Sequence, residues 1–488
     1  MTDQGRRSPE WDVRFGAANY AALVGSYAAT AIASLAAVSL LTRALPPERY
    51  GLVIAMLAAA MFAQQIGVSW SALSVSALGG AEFIAQGRIA NVFWTRLGIL
   101  ILNLALLAAT ARWWLPWCRS ILNLDAAQAG PVLAYMGALA LWLHVQQALI
   151  AAKRIALQAA LTLADRLFVL ACVIALYATA RMSVEVVVGV YALSALLVSL
   201  VALVPLRHLL LPVAAFREQA ARRILRFSLP LLPGAVANFA ASNHLSTFFL
   251  AYFAGTAAVA AFGVAYQIHG AVVQLPLMAG TVLQPYFVTL HAADRARSTG
   301  PMFTSFVQAC SVAVSAVCLG IAAFGGPLMV RLFGTAYAGA GPLLWPLMAS
   351  AALAAPALMA WLPLATATQK SYILAVNAAS TAIFNIALHW LLAPRYGPAG
   401  AAWAILISYI GTAIVTIVCL RRERLPDCVE AIVAALPPAV AALVALRGGV
   451  LAPLLAGTAA LAAVALWQRA TLRHGVRVAF QLAAGARG

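Results

Sequence analysis

Ionisable side chains inside long apolar stretches are the residues of this sequence best placed to do chemistry. Asp165 and Arg166 stand side by side within the stretch 159–180, and His244 and His269 lie near the middle of two later stretches. A carboxylate or histidine in an apolar setting can carry a proton or a cation, and arginine can bind a phosphate group. These residues predict ion coupling at Asp165 and His244, and anion binding at Arg166.

Each of these residues also has a purely structural interpretation, and the sequence leaves both open. His244 and His269 equally fit neutral core histidines with a hydrogen-bond partner. Arg166 also fits a side chain that extends along its helix toward the head groups. Consecutive helix positions point about 100° apart, which predicts that Asp165 and Arg166 diverge. His389 is predicted to lie at the outer interface.

Amide side chains form a second set of candidates, because they recur with small residues at spacings of three and four. Gln64 shares one predicted helix face with Gly67, Ser71 and Ser74. Close helix packing explains such faces as well as a polar cavity does. The candidate binding residues of this set, with one arginine from a basic segment, are Asn19, Gln64, Arg226, Asn238, Asn243, Gln267 and Gln274. Arg226 also fits a residue that only sets the orientation of the chain.

Composition places these residues in a membrane protein. Hydrophobic residues make up 64% of the 488 residues, charged residues 9%, and the mean hydropathy is +0.94. A soluble domain carries about 25% charged residues. The net charge of +18 does not indicate nucleic-acid binding, because the basic residues lie in short segments between apolar stretches. The class is therefore an all-α polytopic membrane protein.

The apolar stretches predict about fourteen transmembrane helices. They cover 16–42, 51–78, 97–117, 130–151, 159–180, 186–206, 228–252, 257–281, 302–324, 342–366, 371–392, 397–420, 429–446 and 450–468. With a cytoplasmic N-terminus, 22 basic residues fall on the cytoplasmic side and eight on the other. This ratio predicts a multi-pass protein with both termini in the cytoplasm; the resemblance described below implies that its membrane is the bacterial inner membrane.

A repeated phrase indicates that the chain is internally duplicated. AQAGPVLAYM at 127–136 returns as AGAGPLLWPL at 338–347, and in each copy AGP is predicted to open a helix that starts on the outer side. A repeat of this length contains six helices, so both copies enter the membrane in the same orientation. The predicted architecture is two parallel six-helix repeats that form a V-shaped, two-lobe bundle, plus two C-terminal helices.

The predicted domains follow from this duplication. Residues 1–206 form an N-terminal six-helix lobe and 207–227 a basic cytoplasmic linker, whereas 228–420 form a C-terminal six-helix lobe and 421–488 two extra helices with a basic tail. No loop is long enough for a soluble domain, and neither a P-loop, HExxH, GxSxG nor CxxC is present. We therefore expect no enzyme activity, no cofactor and no metal site.

Four motifs, in this order and spacing, resemble the lipid-linked oligosaccharide flippases over residues 10–425. They are LTRALPPERYGL, LRFSLPLLPG, LFGTAYAGAGPLL and PRYGPAGAAWA. These flippases move O-antigen or exopolysaccharide repeat units, and their superfamily also holds multidrug exporters and the peptidoglycan-precursor flippase. The resemblance implies a polyprenyl-pyrophosphate-linked oligosaccharide as substrate, alternating access as mechanism and polysaccharide polymerase components as partners.

The sequence departs from the family's residue pattern at one place, and it also allows several other functions. Relatives often carry an Asp-Arg pair in the seventh span, where this chain has Ser246 and Thr247. The alternative on the same scaffold is a cation-coupled multidrug or small-molecule antiporter, for which Asp165 is the one acidic residue well inside a span. An integral-membrane polysaccharide polymerase or ligase, or a non-transporting scaffold, fits less well.

Overall fold

The computed structural model describes residues 13–211, 218–292, 296–370, 372–426, 429–469 and 471–473. The side chains of 13–24, 243, 281–292 and 296–303 lie outside this description. Throughout these ranges the regular structure is helical, and no β-strand occurs in them. Helices dominate because a backbone in lipid must satisfy its hydrogen bonds within its own segment.

Residues 13–211 form the first helix group. Its members are α1 Val13–Ala44, α2 Pro47–Gly67, α3 Leu73–Gln86, α4 Ala90–Ala109, α5 Ala111–Leu122, α6 Ala129–Ala151, α7 Ile155–Ala178 and α8 Val184–Leu210. Within the group, α1 packs on α7 and α6 packs on α8. The short amphipathic helix α9 Glu218–Ser228 follows and lies against α3 and α4.

Residues 232–467 supply the second helix group. Its members are α10 Leu232–Ala241, α11 Asn243–Ala254, α12 Thr256–Ala292, α13 Ala296–Ala323, α14 Gly325–Phe333, α15 Leu344–Pro356, α16 Leu362–Ala367, α17 Tyr372–Arg422, α18 Val429–Ala435, α19 Pro437–Ala445 and α20 Leu451–Trp467. Helix α17 packs on α10, α11 and α15, and α19 packs on α20.

The predicted spans agree with the helices in number and order. In the described chain, eleven helical segments are long and apolar enough to cross a membrane. One of them, α17, holds two predicted spans and bends at Gly397, whose φ of 55° suits glycine. The shorter apolar segments Val429–Ala445 and Leu451–Trp467 coincide with the last two predicted spans. The all-α polytopic fold is thereby confirmed, whereas the duplication and the domain boundaries stay predictions.

Two predicted spans contain breaks that periodicity did not reveal. The second span stops at Gly67, passes through a 3₁₀ turn at Ser69–Ser71 and resumes as α3. The seventh span stops at Ala241 and resumes at Asn243, with Ser242 in an extended conformation between them. Pro230 lies in the 3₁₀ turn that precedes α10, and Pro233 lies in the first turn of α10, so neither proline is at the break.

The third span begins earlier than predicted, at Ala90 instead of residue 97. This shift encloses Arg96 within a helix, although Arg96 falls in the segment between the predicted spans 51–78 and 97–117. We call the end of the bundle that carries Arg88, Arg154, Arg207 and Arg222 the basic face, and the other end the opposite face.

Candidate functional site

The two helix groups meet along a seam between α2 and α12, on the side of the opposite face. A Cβ atom on Gly51 would lie 1.8 Å from the carbonyl oxygen of Thr256. A Cβ atom on Gly263 would lie 2.5 Å from Cδ1 of Ile54. Glycine at both crossings therefore allows the two helices to approach to backbone contact.

Contacts beside this crossing close the seam further. The guanidinium of Arg43 donates to the carbonyl oxygen of Arg331 at 2.8 Å. Asn123 donates from Nδ2 to the carbonyl oxygen of Ala251 at 3.0 Å. The remaining contacts are the hydroxyl of Ser39 with the carbonyl of Leu332 and the edge-to-face rings of Tyr50 and Tyr337. The opposite face is thus closed by contacts between the groups.

Further along α12, toward the basic face, some polar and apolar side chains are exposed. Gln267 is half-buried, and Gln274, two turns further on, is exposed together with Leu275 and Leu277. On α2, Gln64 is buried, and its Nε2 has no hydrogen-bond partner. That these three glutamines line a substrate cavity stays a prediction.

Asp165 and Arg166 form an ion pair inside the first helix group. Nε of Arg166 lies 3.5 Å from Oδ2 of Asp165. The prediction that the two side chains diverge was wrong, because the long arginine side chain reaches back to its neighbour. Ser194 on α8 donates to Oδ1 of Asp165 at 2.6 Å. Asp165 is buried, and the Arg166 side chain is 37% exposed, so the pair spans a boundary between interior and surroundings.

Two tyrosines extend this polar cluster. The rings of Tyr135 on α6 and Tyr191 on α8 meet edge to face with centroids 6.3 Å apart. Both lie close enough to Asp165 and Arg166 for electrostatic interaction. One carboxylate, one guanidinium and two phenols therefore share the interior between α6, α7 and α8.

The break in the seventh span is held by α17. Asn385 donates from Nδ2 to the carbonyl oxygen of Ala240 at 3.2 Å, just before the break. His389, one turn along, bonds through Nε2 to the hydroxyl of Ser246 at 2.8 Å and through Nδ1 to the carbonyl of Asn385 at 2.8 Å. His389 is completely buried, so the prediction of an interfacial role was wrong. Ser246 thereby contributes a hydroxyl to this network.

A cavity of about 170 Å³ lies in the second helix group, between α10, the α15–α16 region and α17. Its polar lining includes Asn238, Asn377, Thr381 and Thr412, none of which is charged. Thr381 and Thr412 share a hydrogen bond of 3.0 Å across the cavity wall. A π-helical turn at Ala357–Trp361 forms another wall, and such turns are frequent at functional sites.

The two predicted mid-span histidines occupy different surroundings. His269 is buried, and its Nε2 bonds to the hydroxyl of Ser350 at 3.1 Å, which matches the core interpretation. His244 follows the break, where its backbone N–H donates to the hydroxyl of Ser242 at 3.3 Å. The His244 ring stacks on Phe239 with centroids 6.5 Å apart. His244 thus lies at the discontinuity of the span, and its role in ion coupling stays a prediction.

Three further predicted residues remain to be placed. Arg226 is exposed on α9 at the basic face. Asn19 lies on α1 and Asn243 on α11, and both side chains are outside the part that the structure describes.

Sequence reasoning missed one buried cation, Arg96 on α4. Only 1% of its surface is exposed, and its Nη2 donates to the carbonyl oxygen of Val68 at 3.4 Å, at the break of the second span. His144 on α6 is also completely buried, and neither ring nitrogen has a partner. The segment ANVFWTR, which precedes the predicted start of the third span, was the available signal, because its seven residues extend the helix by about two turns.

The arrangement favours binding and conformational change over bond-making chemistry. Discontinuous helices, polar side chains at interior breaks and a glycine crossing between two helix groups are features of membrane transporters. Within the described ranges, no three His, Cys, Asp or Glu side chains group to hold a metal ion.

Comparison with solved structures agrees with this fold. Lipid II flippase MurJ, in an inward closed conformation, is similar over 92% of this chain and 98% of that chain, with 11% identity and a TM-score of 0.67. An inward-facing multidrug resistance MATE family transporter matches over 82% and 94%, with 16% identity and a TM-score of 0.57. The MATE transporter VcmN of Vibrio cholerae, in a bent form, matches over 92% and 99%, with 15% identity and a TM-score of 0.50.

Comparison of sequences identifies the family. No curated protein sequence matches the chain at a significant level. A family profile described as polysaccharide biosynthesis protein matches residues 17–291, which is more than half of the chain. The chain therefore belongs to the polysaccharide biosynthesis protein family, on a fold that it shares with a lipid II flippase and with multidrug transporters.

Proposed function

We propose that this protein is a flippase that moves polyprenyl-pyrophosphate-linked oligosaccharide repeat units between membrane leaflets by alternating access. The observation that carries the proposal is the glycine seam, where Gly51 on α2 meets Thr256 on α12 at the opposite face. Rocking requires two helix groups that meet at one face of the membrane and can separate at the other. The α2–α12 seam at the opposite face, with exposed α12 side chains toward the basic face, fits this requirement. The product would serve O-antigen or exopolysaccharide biosynthesis.

The physical task explains why such a geometry is needed. A sugar head group carries many hydroxyls and a pyrophosphate, and each unpaired polar group in hydrocarbon costs several kcal/mol. A hydrated cleft between two helix groups removes most of that cost, while the lipid tail remains in the bilayer. Arg226 at the basic face and the partly exposed Arg166 are the cations that would receive the pyrophosphate.

Energy for outward movement is available without ATP. An interior-negative potential favours outward transfer of an anion by about 2.3 kcal/mol per charge per 100 mV. Asp165, with His244 as a second candidate, would add coupling to a proton or sodium gradient. Because Asp165 bonds to Ser194 on α8 and to Arg166 on its own helix, a change at this carboxylate would alter the contact between α7 and α8 and the position of the Arg166 side chain together.

The location and working parts follow from the same proposal. The protein would reside in the bacterial inner membrane, with the basic face and both termini in the cytoplasm. Residues 1–206 and 228–420 would act as the two rocking lobes, joined by the basic linker 207–227, and 421–488 would lie outside the exchange. Polysaccharide polymerase components would receive the flipped product. We assign the chain no catalytic role of its own.

Deletion of the gene tests the proposal directly. Lipid-linked repeat units should accumulate on the cytoplasmic leaflet, and drug sensitivity should remain unchanged.

Complementation with Arg166→Ala or His244→Ala should restore expression but reduce surface polymer. Arg112→Ala, which removes a cation that stacks on exposed Trp113, is the matched control and should restore both. Unchanged lipid-linked intermediates after deletion would contradict the proposal.

A cation-coupled multidrug or small-molecule antiporter is the second candidate. The observation in its favour is Asp165, a buried carboxylate that could exchange its proton or cation for a cationic drug. Gene deletion would then raise drug sensitivity and leave the glycolipids unchanged, the reverse of the outcome for a flippase.

A further inference from the structure

Arg96 is a buried cation that no acidic residue balances within the described ranges. It lies six residues after the start of α4 at Ala90, which is about 9 Å along the helix. Its surface is 1% exposed, and none of the ion pairs among the described residues includes it. An isolated charge in such a place is destabilising by several kcal/mol unless something pairs with it.

The end of α2 balances only part of this charge. The single hydrogen bond of the guanidinium joins Nη2 to the carbonyl oxygen of Val68 at 3.4 Å, close to the weak limit. Val68 stands at the C-terminal end of α2, where the helix dipole amounts to about half a negative charge. Nε and Nη1 of Arg96 are buried and have no partner. Two strong donors therefore remain without an acceptor.

His144 brings further polar atoms to the same place. Its ring lies on Phe93, one turn before Arg96, with centroids 4.4 Å apart, and it is close enough to Arg96 for electrostatic interaction. Neither of its ring nitrogens has a partner, although the side chain is completely buried. Buried polar groups without partners are rare in proteins, and each one calls for an explanation.

Apolar packing covers these residues on one side. Val68, Leu100 and Ala140 form a small apolar cluster, with Leu97, Leu104 and Leu107 packed against it. Leu100 follows Arg96 by one turn, and Ala140 precedes His144 by one turn, so the cluster covers both polar residues on the side of the opposite face. The two polar residues are therefore shielded from the opposite face by apolar side chains.

We propose that Arg96 and His144 bind a small monovalent anion of the halide class beside the break in the second span. A single negative charge would accept from Nε and Nη1 of Arg96 and from a ring N–H of His144. The size limit follows from the tight packing at the break, where a Cβ on Gly67 would lie 2.6 Å from Cδ1 of Leu107. The inference does not rest on the proposed transport function.

Thermal unfolding of the purified full-length protein in nanodiscs tests this proposal. The protein is first exchanged into gluconate, and chloride or bromide is then added at constant ionic strength. The melting temperature should rise in a saturable manner, by roughly 2–8 °C, because a ligand that binds only the folded state stabilises it. Sulfate, which is larger and divalent, should not replace the halides.

Variants assign the effect to the site. Arg96→Gln should abolish the halide dependence, and His144→Phe should weaken it severalfold. Arg154→Gln is the matched control, because Arg154 lies at the basic face and already donates to the carbonyl oxygen of Pro205 at 2.9 Å. This control should keep the full response. If Arg96→Gln fails to fold, the weaker halide dependence expected of His144→Phe still tests the proposal.

A second measurement counts the ion itself. Bromide retained after desalting should approach one per wild-type chain and fall to background in Arg96→Gln. A wild-type melting temperature that is the same in gluconate, chloride and bromide, with no retained bromide, would overturn the proposal. Arg96 would then serve only as a cap for the carbonyl groups at the end of α2.

Discussion

Ser194 on α8 donates a 2.6 Å hydrogen bond to Oδ1 of Asp165 on α7, and the two residues tie these helices together. The same hydroxyl lies 3.0 Å from the backbone carbonyl oxygen of Asp165. The other carboxylate oxygen faces Arg166. Both carboxylate oxygens of this buried residue therefore have a partner, and removal of the carboxylate would weaken both contacts.

Asp165→Asn should uncouple transport from an ion gradient without unfolding the protein. The amide oxygen can still accept from Ser194, but the side chain can no longer exchange a proton or pair with a cation. In proteoliposomes with a fluorescent lipid-linked saccharide, the acceleration by an imposed proton or sodium gradient should fall by roughly tenfold or more. Glu48→Gln, at an exposed acid, should behave like wild type. A full gradient response in Asp165→Asn would remove Asp165 from the mechanism.

Gly51→Val should prevent closure of the opposite face. Any Cβ there meets the carbonyl oxygen of Thr256 at 1.8 Å, and backbone cannot move aside cheaply. A single cysteine, introduced by Ser39→Cys into a cysteine-free variant, lies at the seam and becomes accessible to thiol reagents when this face opens. Its labelling by an impermeant thiol reagent added at the opposite face should increase, and flipping should fall by about tenfold or more.

Gly137→Val is the matched control for this substitution. A Cβ at Gly137, on α6, would have no neighbour within 4 Å. This variant should keep wild-type labelling and transport. Equal labelling of the Gly51 and Gly137 variants would show that the glycine crossing does not control access.

Ser246→Ala should destabilise the break in the seventh span. The substitution leaves Nε2 of the buried His389 without its 2.8 Å partner, and an unsatisfied buried polar group costs about 1–3 kcal/mol. The midpoint of unfolding in denaturant should fall accordingly. Ser120→Ala, at an exposed hydroxyl that bonds to the carbonyl of Trp117, should leave the midpoint unchanged. An unchanged midpoint in Ser246→Ala would mean that the network does not hold the break.

Glu423 should make stability depend on pH in acid. Hydrogen bonds from Lys370, at 2.8 Å, and from Tyr372, at 2.7 Å, lower the pKa of the Glu423 carboxyl below its ordinary value of 4.5. Because the pKa is lower in the folded state, the stabilisation is present above pH 4.5 and is lost as the pH falls through the lowered value.

The measurement compares wild type with Glu423→Gln in thermal scans. Their difference in melting temperature should be constant from roughly pH 6 to 8 and should disappear near pH 3. Glu218→Gln, which removes the exposed partner of Arg222, should show a much smaller difference. A difference that persists unchanged at low pH would contradict a role for the ionised carboxylate.

Much of the fold was predictable from the order of the residues. Apolar stretches of spanning length gave the number and order of the helices, because lipid leaves the backbone no hydrogen-bond partner except itself. The repeated AGP phrase was placed correctly at a helix entry: the first copy begins α6 at Ala129, and the second lies in the 3₁₀ turn Thr335–Leu343 that leads into α15. Asp165 was singled out as a candidate site because charged residues are rare inside spans, and the structure shows that it is buried.

The breaks and polar pairs were not predictable in the same way. Ser242 breaks the seventh span where α17 supplies Asn385 to the freed carbonyl of Ala240, a residue 145 positions away in sequence. His389 was expected at the interface because its position along the span could be counted from the sequence. Which helix its side chain packs against could not be known from the sequence. Arg96 was assigned to a loop, because apolar length alone does not mark the first turns of a helix.

The sequence by itself determined that this chain is a helical membrane protein with about fourteen spans and few internal charges, because hydrophobic length is a local property. Only the tertiary structure decided which helices touch, where two of them break, and which polar atoms remain without partners. Those features depend on side chains from distant segments meeting in a packed interior, where the partner of a residue such as Asp165 is set by neighbouring helices and not by neighbours in sequence.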